Sequence, residues 1–279
     1  MINISTPWHF PGSDVGLRAR LFAPEVFSHP AKMNLFLLQK IIDLYTAPGD
    51  TLYDPMAGTG SLMLAATQQR NVVLRELEPS YVELQYASLP IIHRRAGLLA
   101  GDIHIALGDA RQHCAVCFDH IITSPPYGFE TTTGFSNVQR AKRLAEVHGD
   151  KRRWMRFIDQ PTHASFAAGF RYVGAQDNIG NKTGRNYWRE MEQVYCNLVD
   201  LMPSGGLMIL VLKNHYRRGV LRNIVGQTTA VVEGMGLTLI ANHIRAIDNL
   251  SLWQRRRKER GEPVVEVEHV LIFRSFRES

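Results

Sequence analysis

The sequence predicts an α/β protein with a mostly parallel sheet and helices on both of its faces. Three observations favour this class. Short buried segments alternate with helical segments along most of the chain, the residues suited to binding a ligand follow predicted strands, and the last two strands are close enough to pair antiparallel at an edge. With 45% hydrophobic and 21% charged residues among 279, the composition excludes collagen-like, disordered and disulfide-scaffold proteins.

The predicted elements follow one another in a regular order. A helix is expected to begin at Ser28-His-Pro30, with Pro30 in its first turn, and to end before Pro48-Gly49. Strands are predicted at residues 51–53, 71–76, 103–107, 119–123, 206–213, 237–244 and 264–273. Helices are predicted at residues 61–69, 79–93, 187–202 and 220–235, and only a loop is expected between the final two strands.

Residues 129–186 interrupt this alternation, because they are rich in Thr, Gly, Arg and Asn. A structureless loop of that length is unusual inside a compact domain. We therefore expect a single domain over residues 1–279 that carries residues 129–186 as an inserted substrate-recognition segment.

The positive charge is concentrated in two short runs. The first has seven basic residues against two acidic ones, a net charge of +5, and its basic members are Arg140, Lys142, Arg143, Lys151, Arg152, Arg153 and Arg156. The second, residues 253–260, carries +4 and includes Arg255, Arg256 and Arg257, so the rest of the chain carries −3. Either run alone could be a solvated face, but two runs that each contain a Trp favour a nucleic-acid partner, DNA or structured RNA.

Three cysteines and the absence of a signal-like start or a long apolar stretch favour a cytoplasmic protein without a membrane partner, acting as a monomer or homodimer. The ligand types in His113-Cys-Ala-Val-Cys-Phe-Asp-His120 are interpreted as a surface loop, because no second Cys pair exists, and no metal is predicted.

A glycine turn with acidic neighbours predicts a nucleoside-containing ligand. Asp54-Pro-Met-Ala-Gly-Thr-Gly60 joins a strand to a helix, Glu76 ends the next strand, where an acid can hold ribose hydroxyls, and Asp109 follows the third. Glu78 is interpreted as a solvated neighbour that could share the role of Glu76. The pattern departs from the dinucleotide fingerprint, which excludes a dehydrogenase, and an acid beside the loop suits a cationic ligand such as S-adenosylmethionine.

Asp119-His-Ile-Ile-Thr-Ser-Pro-Pro-Tyr-Gly128 is the most informative segment. Two prolines after a buried strand leave carbonyl groups without a neighbouring strand, and Tyr127 offers a flat face for an aromatic ring. An exocyclic base amine could donate to those carbonyls. The alternative, a rigid turn with a packing Tyr, is disfavoured by the glycine turn and the two acids upstream.

With these motifs the sequence resembles the amino-methyltransferases that methylate exocyclic base nitrogens from S-adenosylmethionine. The resemblance covers nearly the whole chain: Phe27-Ser-His-Pro-Ala-Lys-Met33 is similar to the family's helix-opening cofactor motif, residues 54–60 to its glycine loop and Ser124-Pro-Pro-Tyr127 to its catalytic motif. It implies a Rossmann-like fold with seven strands, and catalytic roles for Ser124, Pro125, Pro126 and Tyr127. It also implies cofactor contacts from Phe27, His29, Pro30, Lys32, Asp54, Pro55, Met56, Ala57, Gly58, Thr59, Gly60, Glu76, Leu77, Asp109 and Ala110.

Ser at the first catalytic position is typical of members that modify cytosine N4 in DNA, whereas adenine N6 members usually carry Asp or Asn. The order of the motifs matches only some branches, which disfavours a restriction-modification assignment. An RNA base-amine methyltransferase, a DNA adenine-N6 methyltransferase and a regulator without turnover stay open as alternatives. We predict direct in-line transfer, with the Ser124 hydroxyl and the Pro125 carbonyl accepting hydrogen bonds from the target amine.

Overall fold

A seven-stranded sheet forms the centre of the protein in the computed structural model, which describes residues 6–28, 32–97, 100–127, 177–217, 219–248, 250 and 252–276. In order across the sheet, the strands are β3 (Ile103–Leu107), β2 (Asn71–Glu76), β1 (Thr51–Asp54), β4 (His120–Thr123), β5 (Leu207–Leu212), β9 (Val267–Arg274) and β8 (Thr238–Ala246). Strands β1 to β5 pair in parallel, and β9 lies between β5 and β8, antiparallel to both. This order confirms the predicted fold class, including the antiparallel pair at the edge.

A separate hairpin contains β6 (His215–Arg217) and β7 (Val220–Arg222). The α-helices are α1 (Val15–Leu21), α2 (Leu35–Tyr45), α3 (Pro79–Ala96), α4 (Gly184–Leu201), α5 (Ile224–Gly234) and α6 (Leu252–Glu259). Segments Pro24–Ser28, Ser61–Gln68 and Ile179–Asn181 form 3-10 helices.

Apolar residues pack on both faces of the sheet. One core contains α2, the 3-10 helix Ser61–Gln68 and the inward side chains of β1 and β2. The other contains α4 and α5 against the opposite side chains of β4 and β5. All six residues of β5 are buried, as expected for a central strand covered on both faces.

The prediction that a helix begins at Ser28 is wrong, because Ser28 ends a 3-10 helix and α2 begins at Leu35. Asn34 supplies the reason: its side-chain oxygen accepts the backbone N–H groups of Phe36 and Leu37 at 3.0 and 3.1 Å. A cap of this kind satisfies N–H groups that have no partner within the helix.

Two other predictions fail around the last strands. A helix was expected over residues 220–235, but Val220–Arg222 pairs with His215–Arg217, and α5 begins only after Asn223, whose side chain accepts the N–H of Gly226 at 2.9 Å. A loop alone was expected between β8 and β9, where the structure has α6.

Most of the predicted recognition segment, residues 129–186, lies outside the described residues. Its last ten residues are described, and they form the 3-10 helix Ile179–Asn181 and the first turn of α4, which begins at Gly184 rather than at Tyr187. Among the described residues, no helix is both long and apolar enough to cross a membrane.

Candidate active site

The glycine loop after β1 is fixed by hydrogen bonds to two buried side chains from neighbouring elements. Gly58 and Gly60 have φ angles of +52° and +80°, which favour glycine. Glu76, at the end of β2, accepts the Gly58 N–H at 2.6 Å, and Gln85 of α3 donates to the Gly58 carbonyl at 2.7 Å. A side chain at Gly60 would begin 2.9 Å from the sulfur of Met63, so this glycine also lets the loop pack closely.

A cavity of about 620 Å³ lies above this loop, at the carboxyl ends of β1, β2, β4 and β5. Ligands bind at this edge in open α/β sheets. Fifteen of the residues predicted for cofactor binding and catalysis line it: Lys32, Asp54, Pro55, Met56, Ala57, Gly58, Thr59, Glu76, Leu77, Asp109, Ala110, Ser124, Pro125, Pro126 and Tyr127. The structure therefore brings the predicted cofactor loop and the predicted catalytic turn into one cavity.

Four predicted cofactor residues are not among those that line the cavity. The side chain of Phe27 is exposed to solvent, although its carbonyl accepts a hydrogen bond from Lys32 at 3.4 Å. Gly60 packs closely against Met63, because a Cβ added at Gly60 would lie 2.9 Å from the Met63 sulfur. His29 and Pro30 lie outside the described residues.

Two buried carboxyl groups form the acidic wall of the cavity. Asp54 and Glu76 are each 6% exposed. Burial raises the pKa of Asp54 to about 7, and it also raises the pKa of Glu76. Because each negative charge is costly here without a partner, a cationic or hydroxyl-bearing ligand would be favoured.

Lys32 lies at the same cavity and carries the opposite charge. Burial, together with the nearby Arg18, lowers the pKa of its ammonium group to about 8. Arg18 is itself buried and donates to Asp14, Ser61 and the Met33 carbonyl, at 2.7, 3.0 and 2.7 Å. Helix α1 is thereby tied to the cavity wall. A carboxylate ligand would stabilise the charged form of Lys32.

Asp109 lines the cavity, but its carboxylate is already engaged. Burial favours the neutral form, yet hydrogen bonds and charge from Arg111 hold the pKa of Asp109 below its usual range. Arg111 also contacts Asp177 and Glu190, at 2.6 and 2.5 Å. The predicted contact of Asp109 with the cofactor therefore has to coexist with an ion-pair network that joins the loop after β3 to α4.

The predicted catalytic turn, residues 124–127, follows β4 directly, and its Pro126 carbonyl has a partner within the protein. The Tyr187 hydroxyl of α4 donates to the Pro126 carbonyl at 2.7 Å, which fixes the turn against the second core. The Lys213 ammonium lies 5.7 Å from the centre of the Tyr127 ring. The two acceptors assigned to the target amine, the Ser124 hydroxyl and the Pro125 carbonyl, belong to residues on the cavity wall.

The predicted basic runs are described only in part. Arg140, Lys142, Arg143, Lys151, Arg152, Arg153 and Arg156 lie outside the described residues. In α6, Arg257 lines the cavity and pairs with Glu262 at 3.0 Å, while Arg255 donates to the Leu250 carbonyl at 2.9 Å. The second run is therefore a short helix at the rim whose arginines also make contacts within the protein.

Sequence reasoning missed a buried pair beneath the acidic wall. Glu78 was interpreted as solvated, which is wrong: it is 2% exposed and accepts the Asn178 side-chain amide at 2.8 Å. Its N–H donates to Glu76 at 2.9 Å. The sequence offered two signals for this pair: an acidic residue, Glu78, two positions after Glu76, and the sequence Asn178-Ile-Gly180. Their juxtaposition depends on a contact between residues 100 positions apart.

S-adenosylmethionine fits the chemistry of this cavity. Its sulfonium and amino group match the buried Asp54, its ribose hydroxyls match Glu76 at the end of β2, and its carboxylate matches Lys32. Among the described residues, no cluster of three or more His, Cys, Asp or Glu side chains could hold a metal ion.

Comparison with known proteins gives partial sequence matches and broad structural ones. Residues 3–87 match a family model described as DNA methylase, whose name covers both N6 and N4 transfer. A type II methyltransferase of Bacillus subtilis, M.BglI, is 42% identical over 57 residues, which are 20% of this chain and 16% of that protein. The chain thus spans about a sixth of the length of this relative.

Solved structures with similar folds share little sequence with the chain. A TehB-like SAM-dependent methyltransferase from Corynebacterium glutamicum is 12% identical, with 95% of this chain and 97% of that chain covered and a TM-score of 0.47. TrmN from Thermus thermophilus is 15% identical, with 91% and 52% covered and a TM-score of 0.47.

Proposed function

We propose that the protein transfers a methyl group from S-adenosylmethionine to the exocyclic amine of a base in DNA, and that the base is cytosine, modified at N4. The observation that carries this proposal is the shared cavity, which joins a buried acidic wall to the Ser-Pro-Pro-Tyr turn. The match of residues 3–87 to the DNA methylase family supports the same activity and the same methyl donor.

The cofactor side of the cavity is built from Asp54, Glu76 and Lys32. When bound, S-adenosylmethionine supplies a methyl group made electrophilic by its sulfonium. Asp54 holds the cationic part of the ligand, Glu76 accepts from the ribose hydroxyls, and Lys32 pairs with the carboxylate. Glu76 also accepts the Gly58 N–H, so the same carboxylate fixes the position of the glycine loop and contacts the ribose.

The target side is built from the catalytic turn. The Ser124 hydroxyl and the Pro125 carbonyl accept hydrogen bonds from the two N–H groups of the amine and direct its lone pair toward the cofactor side. Tyr127 stacks on the target base once it has left the duplex. Such positioning can contribute roughly 7 to 11 kcal/mol to rate enhancement. Because direct transfer needs no covalent intermediate with the protein, Ser124 acts as an orienting residue and not as a nucleophile.

Cytosine is assigned as the target because Ser124 stands at the first position of the catalytic turn. The match to the family model covers both N4 and N6 transfer, so the product must be identified by experiment. We assign target recognition to residues 129–186 and to the basic run of residues 253–260, which includes Arg255, Arg256 and Arg257.

The test incubates the purified protein with labelled S-adenosylmethionine and, separately, duplex DNA, single-stranded DNA and total RNA. The methylated nucleoside is then identified by mass spectrometry. N4-methylcytosine from DNA is expected; N6-methyladenine would move the target to adenine, and label in RNA alone would overturn the DNA assignment.

Two variants test the catalytic turn. Ser124→Ala and Tyr127→Ala should lose most methyl transfer while retaining cofactor binding, because neither residue is assigned to the cofactor. Ser204→Ala and Tyr86→Ala are matched controls away from the cavity and should stay active. Full transfer by both catalytic-turn variants would contradict the proposed mechanism.

A further inference from the structure

The hairpin formed by β6 and β7 lies next to the catalytic cavity. Two residues separate it from the end of β5, and Lys213, Asn214, His215 and Tyr216 all line the cavity together with the catalytic turn. The hairpin pairs His215 with Arg222, Tyr216 with Leu221 and Arg217 with Val220. A DNA strand that delivered a base to Tyr127 would therefore pass close to this element.

The hairpin carries a third concentration of positive charge. No acidic residue occurs between Asp200 and Glu233, whereas Lys213, Arg217, Arg218 and Arg222 place a charge of +4 within ten residues. With the two runs described above removed as well, the remainder of the chain carries −7. This local excess is complementary to a phosphodiester backbone, since lysines and arginines bind phosphates with release of counterions.

Aliphatic side chains are exposed on the same element. Val220 and Leu221 are 57% and 45% exposed. Leu221 is paired with Tyr216, so the two side chains share one face of the hairpin, and Tyr216 lines the cavity. The positions of Val220, Arg217 and Arg222 lie on the opposite face, because successive residues of a strand alternate between its two faces. A ribbon with apolar and basic residues suits contact with unstacked bases and their phosphates, as in proteins that insert aliphatic residues between base steps.

Both ends of the hairpin are fixed to α5. Asn214, just before β6, accepts the Val225 N–H at 3.0 Å, and Asn223, just after β7, accepts the Gly226 N–H at 2.9 Å. A two-stranded hairpin is marginally stable by itself. These bonds hold it in a constant position relative to the cavity, as an element that positions a ligand requires.

We infer that the β6–β7 hairpin is a DNA-contacting element that binds the backbone near the target base through Arg217 and Arg222, on one face, and supports the distorted duplex through Leu221, on the other. This inference rests on the proposed function, because it takes DNA as the substrate. It adds a contact surface that none of the motifs resembling known enzymes includes.

The test compares the double variant Arg217→Gln/Arg222→Gln with a control of equal charge change, Arg94→Gln/Arg95→Gln, whose residues are exposed in the last turn of α3. Binding to a labelled DNA duplex is measured by fluorescence anisotropy at several salt concentrations. Each lost phosphate contact lowers the slope of log K against log salt by about 1. The hairpin variant should lose about 2 in slope and bind at least about fivefold more weakly, whereas the control should match the unsubstituted protein.

Leu221→Ser gives a second, independent measurement. It should reduce the rate of DNA methylation without changing the salt slope, and cofactor binding measured by calorimetry should be unchanged in every variant. Equal losses of slope in the hairpin variant and in the control would overturn the inference while leaving the proposed function intact, provided that the unsubstituted protein methylates DNA. If that protein neither binds nor methylates DNA, both proposals fail; preferential binding and methylation of RNA would overturn the DNA assignment of both.

Discussion

Asp54→Asn is expected to stabilise the ligand-free protein while abolishing tight cofactor binding. The carboxyl group is 6% exposed, and burial raises its pKa from 3.8 to about 7. Because the folded chain retains a proton that the unfolded chain releases, the contribution of this group to stability is largest below about pH 4 and is lost as pH rises toward 7. The difference of about 3 pKa units corresponds to roughly 4 kcal/mol, as an order of magnitude.

The substitution removes the charge and keeps the shape. Asn at this position can still accept the Met56 N–H, which Asp54 accepts at 3.1 Å. The variant should therefore exceed the unsubstituted protein by up to about 4 kcal/mol in free energy of unfolding at pH 8, and the difference should vanish near pH 4. Glu76, whose pKa burial also raises, remains in the variant, so part of the loss of stability with rising pH should persist.

The assay is chemical unfolding of the ligand-free protein at pH values from 4 to 8, with calorimetric titration of S-adenosylmethionine at the same values. Asp43→Asn is the matched control, because Asp43 is exposed on α2 and contacts Gln68. Cofactor affinity of the unsubstituted protein should weaken as pH falls below 7, as Asp54 becomes protonated. If Asp54→Asn showed the same dependence of unfolding on pH as the unsubstituted protein, the assignment of a costly buried charge would be refuted.

Three further substitutions test how the fold and the site are supported. Gly101→Ala would place its Cβ 1.9 Å from a backbone carbonyl oxygen, so a loss of more than about 2 kcal/mol is expected in chemical unfolding. Gln85→Ala removes the donor to the Gly58 carbonyl and should weaken cofactor affinity roughly tenfold in calorimetry, from about 1 to 2 kcal/mol of lost loop order; unchanged affinity would contradict this role. Asn178→Ala leaves the buried Glu78 without its side-chain donor, at a cost of about 1.5 to 3 kcal/mol, and Asn178→Ser should restore part of this in the same unfolding assay.

The fold class could be predicted because parallel strands buried on both faces leave a strong local pattern. The predicted bounds of β2 and β3 match the structure at both ends. Helix α1 left no comparable pattern: it has seven residues, and the buried Arg18 ties it to distant parts of the chain. Such a helix depends on tertiary contacts that local propensity does not encode.

The same distinction applies within the candidate site. Residues that face the cavity, such as Asp54 and Ser124, belong to short contiguous motifs, because a ligand contacts the loops at the ends of adjacent strands. Gln85, Glu78 and Asn178 face the protein instead, and each is brought to the site by a helix or a distant loop. Their roles follow from burial, which only the folded structure defines. The residues that line the cavity could thus be predicted from the sequence, whereas the groups that hold the Gly58 loop and the Glu76 carboxylate required the packing of α3 and of the segment before α4.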